Sequence, residues 1–189
     1  MTAWLRDRSH RRAFVFYCSA FVLVAAIVLS ARYTGALQEL ELAAYDAMLR
    51  VNPPTRSVDR FVLIEETEAD LQRFGHPLSD ALLAKLLDRL LEHDPAAIGM
   101  DKYRDIPVPP GSAELESRLR EHKNIFWIFR FGPDGPAAPA ALRGTNQAAF
   151  SDFAPDAGGV MRRAVIFMDD GKTTYTSLAM ALALEYLKR

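Results

Sequence analysis

Between Arg12 and Arg32 the chain reads AFVFYCSAFVLVAAIVLSA, without a charge, a proline or a glycine. At a rise of about 1.5 Å per residue this is roughly 28 Å of helix, enough to cross the hydrocarbon core of a bilayer. Ser19, Ser30 and Tyr17 are its polar side chains. A helical serine is tolerated there because its hydroxyl bonds back to a carbonyl one turn earlier. Arg6, Arg8, Arg11 and Arg12 precede the segment, opposed by Asp7, whereas Arg32 and then Glu39, Glu41 and Asp46 follow it. Arginines and lysines beside a span are retained on the cytoplasmic side. The expectation is therefore a cytoplasmic basic tail at 1–12, a transmembrane helix at 13–31 and an extracytoplasmic remainder. The alternative is a cleaved signal peptide, with Leu29-Ser30-Ala31 as a small-residue cleavage site. Against it, the apolar run exceeds the roughly 7–15 residues of a signal h-region. Either outcome exports the rest of the chain.

Of the 189 residues, about 160 lie outside the span, which suits one domain with its own core. Net charge is −1, and no basic stripe follows the first dozen residues, so nucleic acid is not an expected partner. The single cysteine, Cys18, lies in the span, so an exported domain has no internal disulfide to hold it. His10, His76, His93 and His122 are scattered without metal-ligand spacing, and neither a metal nor a cofactor is expected.

The spacing of Leu37, Leu40, Ala44 and Met48 predicts a juxtamembrane helix over Gly35–Arg50, continuing out of the membrane with one apolar stripe. That stripe packs on its own domain or on the same helix of a second copy; the latter makes a parallel homodimer. Pro53 and Pro54 end the helix. Phe61–Ile64 is a short apolar run that reads as a buried strand. Ser79 caps a leucine-rich helix, with Asp80 at the positive end of its dipole. Asp94-Pro95 stops that helix, and Ala96–Met100 is a second strand. Strand, helix and strand read as a βαβ unit. After a proline-rich turn at 106–111, Ser112 caps a further helix, and Asn124–Arg130 is a central strand. Phe131 to Arg143 is loop by composition, long enough to be functional or mobile. Gly158-Gly159 precedes a half-exposed strand over Val160–Met168. Asp169-Asp-Gly171 is a hairpin turn, with Thr173–Thr176 as the return strand, and Ser177 caps a closing helix. The fold class is α/β: a mixed, mainly parallel sheet with flanking helices behind one N-terminal transmembrane helix.

In an open parallel sheet the strand carboxyl ends form the crevice where ligands bind. Glu65 with Glu66, Asp101 and Arg130 end the three expected parallel strands, so two carboxylates and a guanidinium converge if those strands are neighbours. Such a cluster binds a cation or polar ligand, or else pairs internally as an ion network. Two carboxylates can also act as acid and base, yet no Gly-x-Ser-x-Gly elbow, Walker loop or His-Glu-x-x-His occurs. No catalytic residue is assigned.

Tyr45-Asp46 with Arg50, the stretch FVLIEE at 61–66, Gly75-His-Pro77, the leucine-rich helix ending at Asp94-Pro95, Ala97-Ile-Gly-Met-Asp101, Gly159-Val-Met-Arg-Arg163 and Ser177-Leu-Ala179 follow one another along the chain. In this order they resemble the second class of CHASE domain, an extracytoplasmic sensing module of bacterial membrane receptors. The resemblance covers about residues 40 to 187. The resemblance implies a sensor domain at 53–189 behind the 32–52 helix, single-pass in the bacterial inner membrane. The ligand-binding candidates are Glu65, Glu66, Asp101, Arg130 and Arg162. Family members usually carry aspartate at the Glu65 position and serine at the Glu68 position, so no shared ligand follows from the likeness. Receptors of this kind carry a further output module, which is not seen here, so the expectation is either a fragment of a longer receptor or a stand-alone sensor acting through a partner. The partners are then the lipid bilayer and an unknown extracytoplasmic ligand or envelope protein. An envelope scaffold without a small-molecule ligand is the alternative, and a weak hydrolase a second.

Overall fold

A computed structural model describes residues 8–53, 59–156 and 159–189. The expectations for Arg6, Asp7, Pro54 and Gly158 lie outside the described residues. The chain forms two compact units, Met1–Val62 and Leu63–Arg189.

The first unit holds helix α1 (Arg8–Tyr33) and helix α2 (Gln38–Val51). The segment His10–Tyr33 is long and apolar enough to cross a membrane. Its apolar side chains are bare, with Phe16 69% and Phe21 74% exposed. The Ser19 hydroxyl donates to the Val15 carbonyl at 2.8 Å, as a serine in an apolar helix should. The two helices are not continuous, contrary to expectation. A turn at 34–37 separates them, with Gly35 at φ +78°, a left-handed conformation that glycine adopts without steric cost. The Thr34 hydroxyl donates to the Ser30 and Ala31 carbonyls and closes the end of α1. No α2 residue is buried, and Leu40 and Met48 of the predicted stripe are each 70% exposed.

The expected buried strand at Phe61–Ile64 is absent. These residues have no regular secondary structure, and Val62 and Leu63 are 86% and 81% exposed. A strand needs a neighbour for its hydrogen bonds, and apolarity alone supplies none.

In the second unit, helix α3 (Glu68–Phe74) starts from a capping box. The Asp70 amide donates to the Thr67 hydroxyl at 3.3 Å, and the Thr67 amide donates to the Asp70 carboxylate at 3.0 Å. Helix α4 (Asp80–Leu91) is capped by Ser79 as predicted, its hydroxyl accepting from the Leu82 amide. Strand β1 (Ile98–Met100), helix α5 (Ser112–Glu121) and strand β2 (Ile125–Phe129) form a βαβ unit whose strands pair in parallel, Ile98 beside Ile125. Thus the βαβ unit lies one strand later than expected. Strand β3 (Ala148–Phe150) extends the sheet in parallel, giving the order β1-β2-β3. The loop before it carries a 3-10 turn at Ala140–Leu142. Strands β4 (Phe167–Asp169) and β5 (Thr174–Thr176) form the antiparallel hairpin expected at Asp169-Asp-Gly171, but the strand expected over Val160–Met168 is confined to its end, since 160–166 have no regular secondary structure. A single parallel bridge, Phe150 to Ser177, links this hairpin to β3. Helix α6 (Leu178–Tyr186) follows, capped by Ser177.

One face of the sheet packs against α4 and α5. Leu83, Leu87, Leu115 and Leu119 meet Ile98, Met100, Ile125 and Trp127 there. The leucine spacing of α4 places those side chains on one stripe, as an amphipathic helix requires. The other face, with Phe126 and Ala149, is covered by α6 through Leu178, Ala181 and Leu182. Gly99 permits that approach, because a Cβ there would sit 2.7 Å from Leu182 Cδ1.

Candidate functional site at the strand carboxyl ends

The loop after β1 is the chemically richest part of this edge. Lys102, two residues past the strand, donates to the Glu66 carboxylate. His76 Nδ1 lies 3.8 Å from the other oxygen of the same carboxylate. The Glu66 side chain is 19% and that of Lys102 27% exposed. The indole of Trp127, itself fully buried, donates to the Lys102 carbonyl and ties this loop to β2. Burial, followed by the nearby positive charge of Arg104, holds the Lys102 ammonium below the usual lysine range.

Two residues further on, Arg104 is buried and reaches back to the start of α4. One guanidinium nitrogen donates to the Leu78 carbonyl at 2.7 Å, and the other lies 3.6 Å from the Asp80 carboxylate. The second Asp80 oxygen accepts from the Val108 amide at 2.9 Å and from the Ser112 hydroxyl at 2.7 Å. The Asp80 amide in turn donates to the Val108 carbonyl. Burial lowers the Arg104 pKa, and the Asp80 charge opposes that shift. Ser112 is therefore not the cap of α5. Its hydroxyl serves Asp80, and Gly111 at φ +95° takes the cap position.

A second charged cluster lies between β3 and β4. The Asp156 side chain is fully buried; Arg162 lies 3.6 Å from it and is 11% exposed. The Arg163 guanidinium Nε donates to the same carboxylate at 2.8 Å. The Asp156 amide donates to the Val160 carbonyl, closing the loop on itself.

Of the sequence candidates, Glu66 and Arg162 are engaged, each in a different cluster. Glu65, Asp101 and Arg130 do not converge into one ion-pair group. All three are exposed, and among the described residues none of them forms an ion pair. Without a strand at 61–64, nothing holds Glu65 at a strand end, and solvated carboxylates are more stable in water than gathered together. Lys102, Arg104, Asp80 and Asp156 are not among the sequence candidates, and the sequence marks Asp80 only as a partner of the α4 dipole. Asp156 stands six residues before Arg162 in a glycine-containing turn, which is the one signal that could have found it. Among the described residues no group of three or more His, Cys, Asp and Glu side chains could hold a metal ion, and the arrangement offers mainly paired charges.

Interlocked, mostly self-paired charges thus stand at the strand ends of a small α/β layer. The family model of the CHASE2 domain matches residues 21–189, and the chain belongs to the CHASE2 domain family. This is a family of extracytoplasmic sensor domains. Neither a curated protein nor a solved structure matches the chain.

Proposed function

We propose that this chain is a membrane-anchored sensor domain of a bacterial signalling protein, held in the inner membrane by α1 with its basic end in the cytoplasm. The observation that carries the reading is the CHASE2 match running from inside the apolar helix to residue 189. The sensor acts without catalysis of its own, and α2 relays its state toward the span. Two copies associate in parallel through the exposed face of α2. The Glu66–Lys102 edge is where an extracytoplasmic ligand would compete with an internal ion pair. A second reading, an envelope scaffold that binds only protein, draws support from that same pair, since Glu66 and Lys102 already satisfy each other.

A reporter enzyme active only outside the cytoplasm, fused after Arg189, tests the topology. Activity supports an exported domain. An inactive fusion that becomes active when placed before Arg8 would overturn the orientation.

A further inference from the structure

Strand β1 has a neighbour on one side only. Among the described residues, β2 pairs with it and no strand lies on its other edge. An unpaired parallel edge leaves backbone donors and acceptors open to any extended segment nearby. One such segment is at hand within the same unit. Leu63 and Ile64 are exposed and without regular structure, at 81% and 52%. The next residue but one after Ile64, Glu66, is held by Lys102, the second residue beyond β1. That ion pair sets a register. Counting back from it, Glu65 falls beside Asp101, Ile64 beside Met100 and Leu63 beside Gly99.

We propose that Leu63–Glu65 adds as a parallel strand to the outer edge of β1, with the Glu66–Lys102 pair as its clasp. The alternation of faces agrees with this register. Met100 is buried on the α4 and α5 side, so Ile64 joins that core. Gly99 has no side chain, and α6 presses on it through Leu182, so Leu63 reaches apolar surface on the other side. The intervening α3 and α4 supply the crossover that two parallel strands require. The same register sets the Glu65 and Asp101 carboxylates side by side, and like charges on adjacent strands destabilise their pairing. Apolar burial and the clasp favour docking while the carboxylates oppose it, so the strand exchanges between docked and free. This holds whether or not the domain is a sensor; in a sensor it would be the moving part.

Hydrogen exchange on the full chain in nanodiscs tests this, read at the amides of residues 63–65. The expected result is exchange slower than the intrinsic rate. Asp101→Asn should deepen that protection by roughly threefold, the scale of one like-charge pair removed across adjacent strands. Ile64→Lys should abolish it while leaving the β2 amides unchanged. Intrinsic exchange at 63–65 in both the native chain and Asp101→Asn would overturn the proposal. So would protection that vanishes on dilution, since the strand would then belong to a second copy.

Discussion

Removing the charge of Asp80 is the most demanding test of how this domain holds together. Asp80 is 1% and Arg104 5% exposed, so neither is solvated by bulk water. In Asp80→Asn the size and most of the packing persist, but Arg104 loses its counter-charge. An uncompensated buried charge costs about 3–5 kcal/mol. The amide oxygen can keep the bonds from Val108 and Ser112, which turns its NH2 group toward the Arg104 guanidinium, so the upper half of that range is expected. Arg104→Met leaves Asp80 buried but still hydrogen-bonded, and should cost about 3 kcal/mol. The double variant should cost less than the sum by about 2–3 kcal/mol, because the second substitution removes the charge that the first left stranded. Urea unfolding of the full chain in mild detergent measures all three. The chain has two tryptophans, Trp4 and Trp127, and in a Trp4→Phe background the fully buried Trp127 reports the core. A cost below about 1 kcal/mol for Asp80→Asn, the range of exposed pairs, would refute the reasoning. So would simple additivity in the double variant.

Gly111→Ala should destabilise the domain by about 1–3 kcal/mol, since the new Cβ would meet the Ala81 backbone at 2.4 Å and φ is +95°; a Tm unchanged from the native chain would contradict it. The Asp170 carboxyl is held below its usual value by the Thr173 amide first and then the Lys172 amide. Its contribution is present above the unfolded pKa of about 3.9 and is lost as pH falls through the lower folded value. Asp170→Asn should therefore flatten the fall of Tm below about pH 4 without removing it, because Asp70 is shifted in the same direction by Thr67. Cysteine at Leu40 in a Cys18→Ser background should cross-link two copies under oxidation, and no cross-linking at Leu37, Leu40, Ala44 or Met48 would dismiss the parallel dimer.

What was legible in the sequence was what repeats or punctuates. The leucines of α4 recur at helical spacing, and Ser79 and Ser177 sit where a helix needs an acceptor for its first free amides. Asp169-Asp-Gly171 announces a turn by chemistry. The short elements escaped. Strand β3 is Ala148–Phe150, too brief to show a period, and only its neighbour β2 makes it a strand. Helix α3 carried its signal in Thr67 and Asp70 but is a single short segment. The run at Phe61–Ile64 misled for the opposite reason, since it has the composition of a strand and is paired with none of the described strands. At the site, Asp80 and Arg104 are 24 positions apart and meet only because a loop folds back on α4. No local pattern marks a pairing of that kind. The same is true of Lys102, whose partner precedes it by 36 positions.

The sheet is walled on one side by helices made before or between its strands and on the other by α6, which is made after all of them. As the chain grows from its N-terminus, Gly99, Phe126 and Ala149 present a bare apolar wall until Leu178–Leu182 has emerged. The contact between Gly99 and Leu182 closes a loop of about eighty residues, and contacts so distant in sequence form slowly. Before that closure the nascent domain exposes the surface on which chains aggregate. A chaperone that shields this wall during synthesis would matter more to the yield of folded protein than to its final stability.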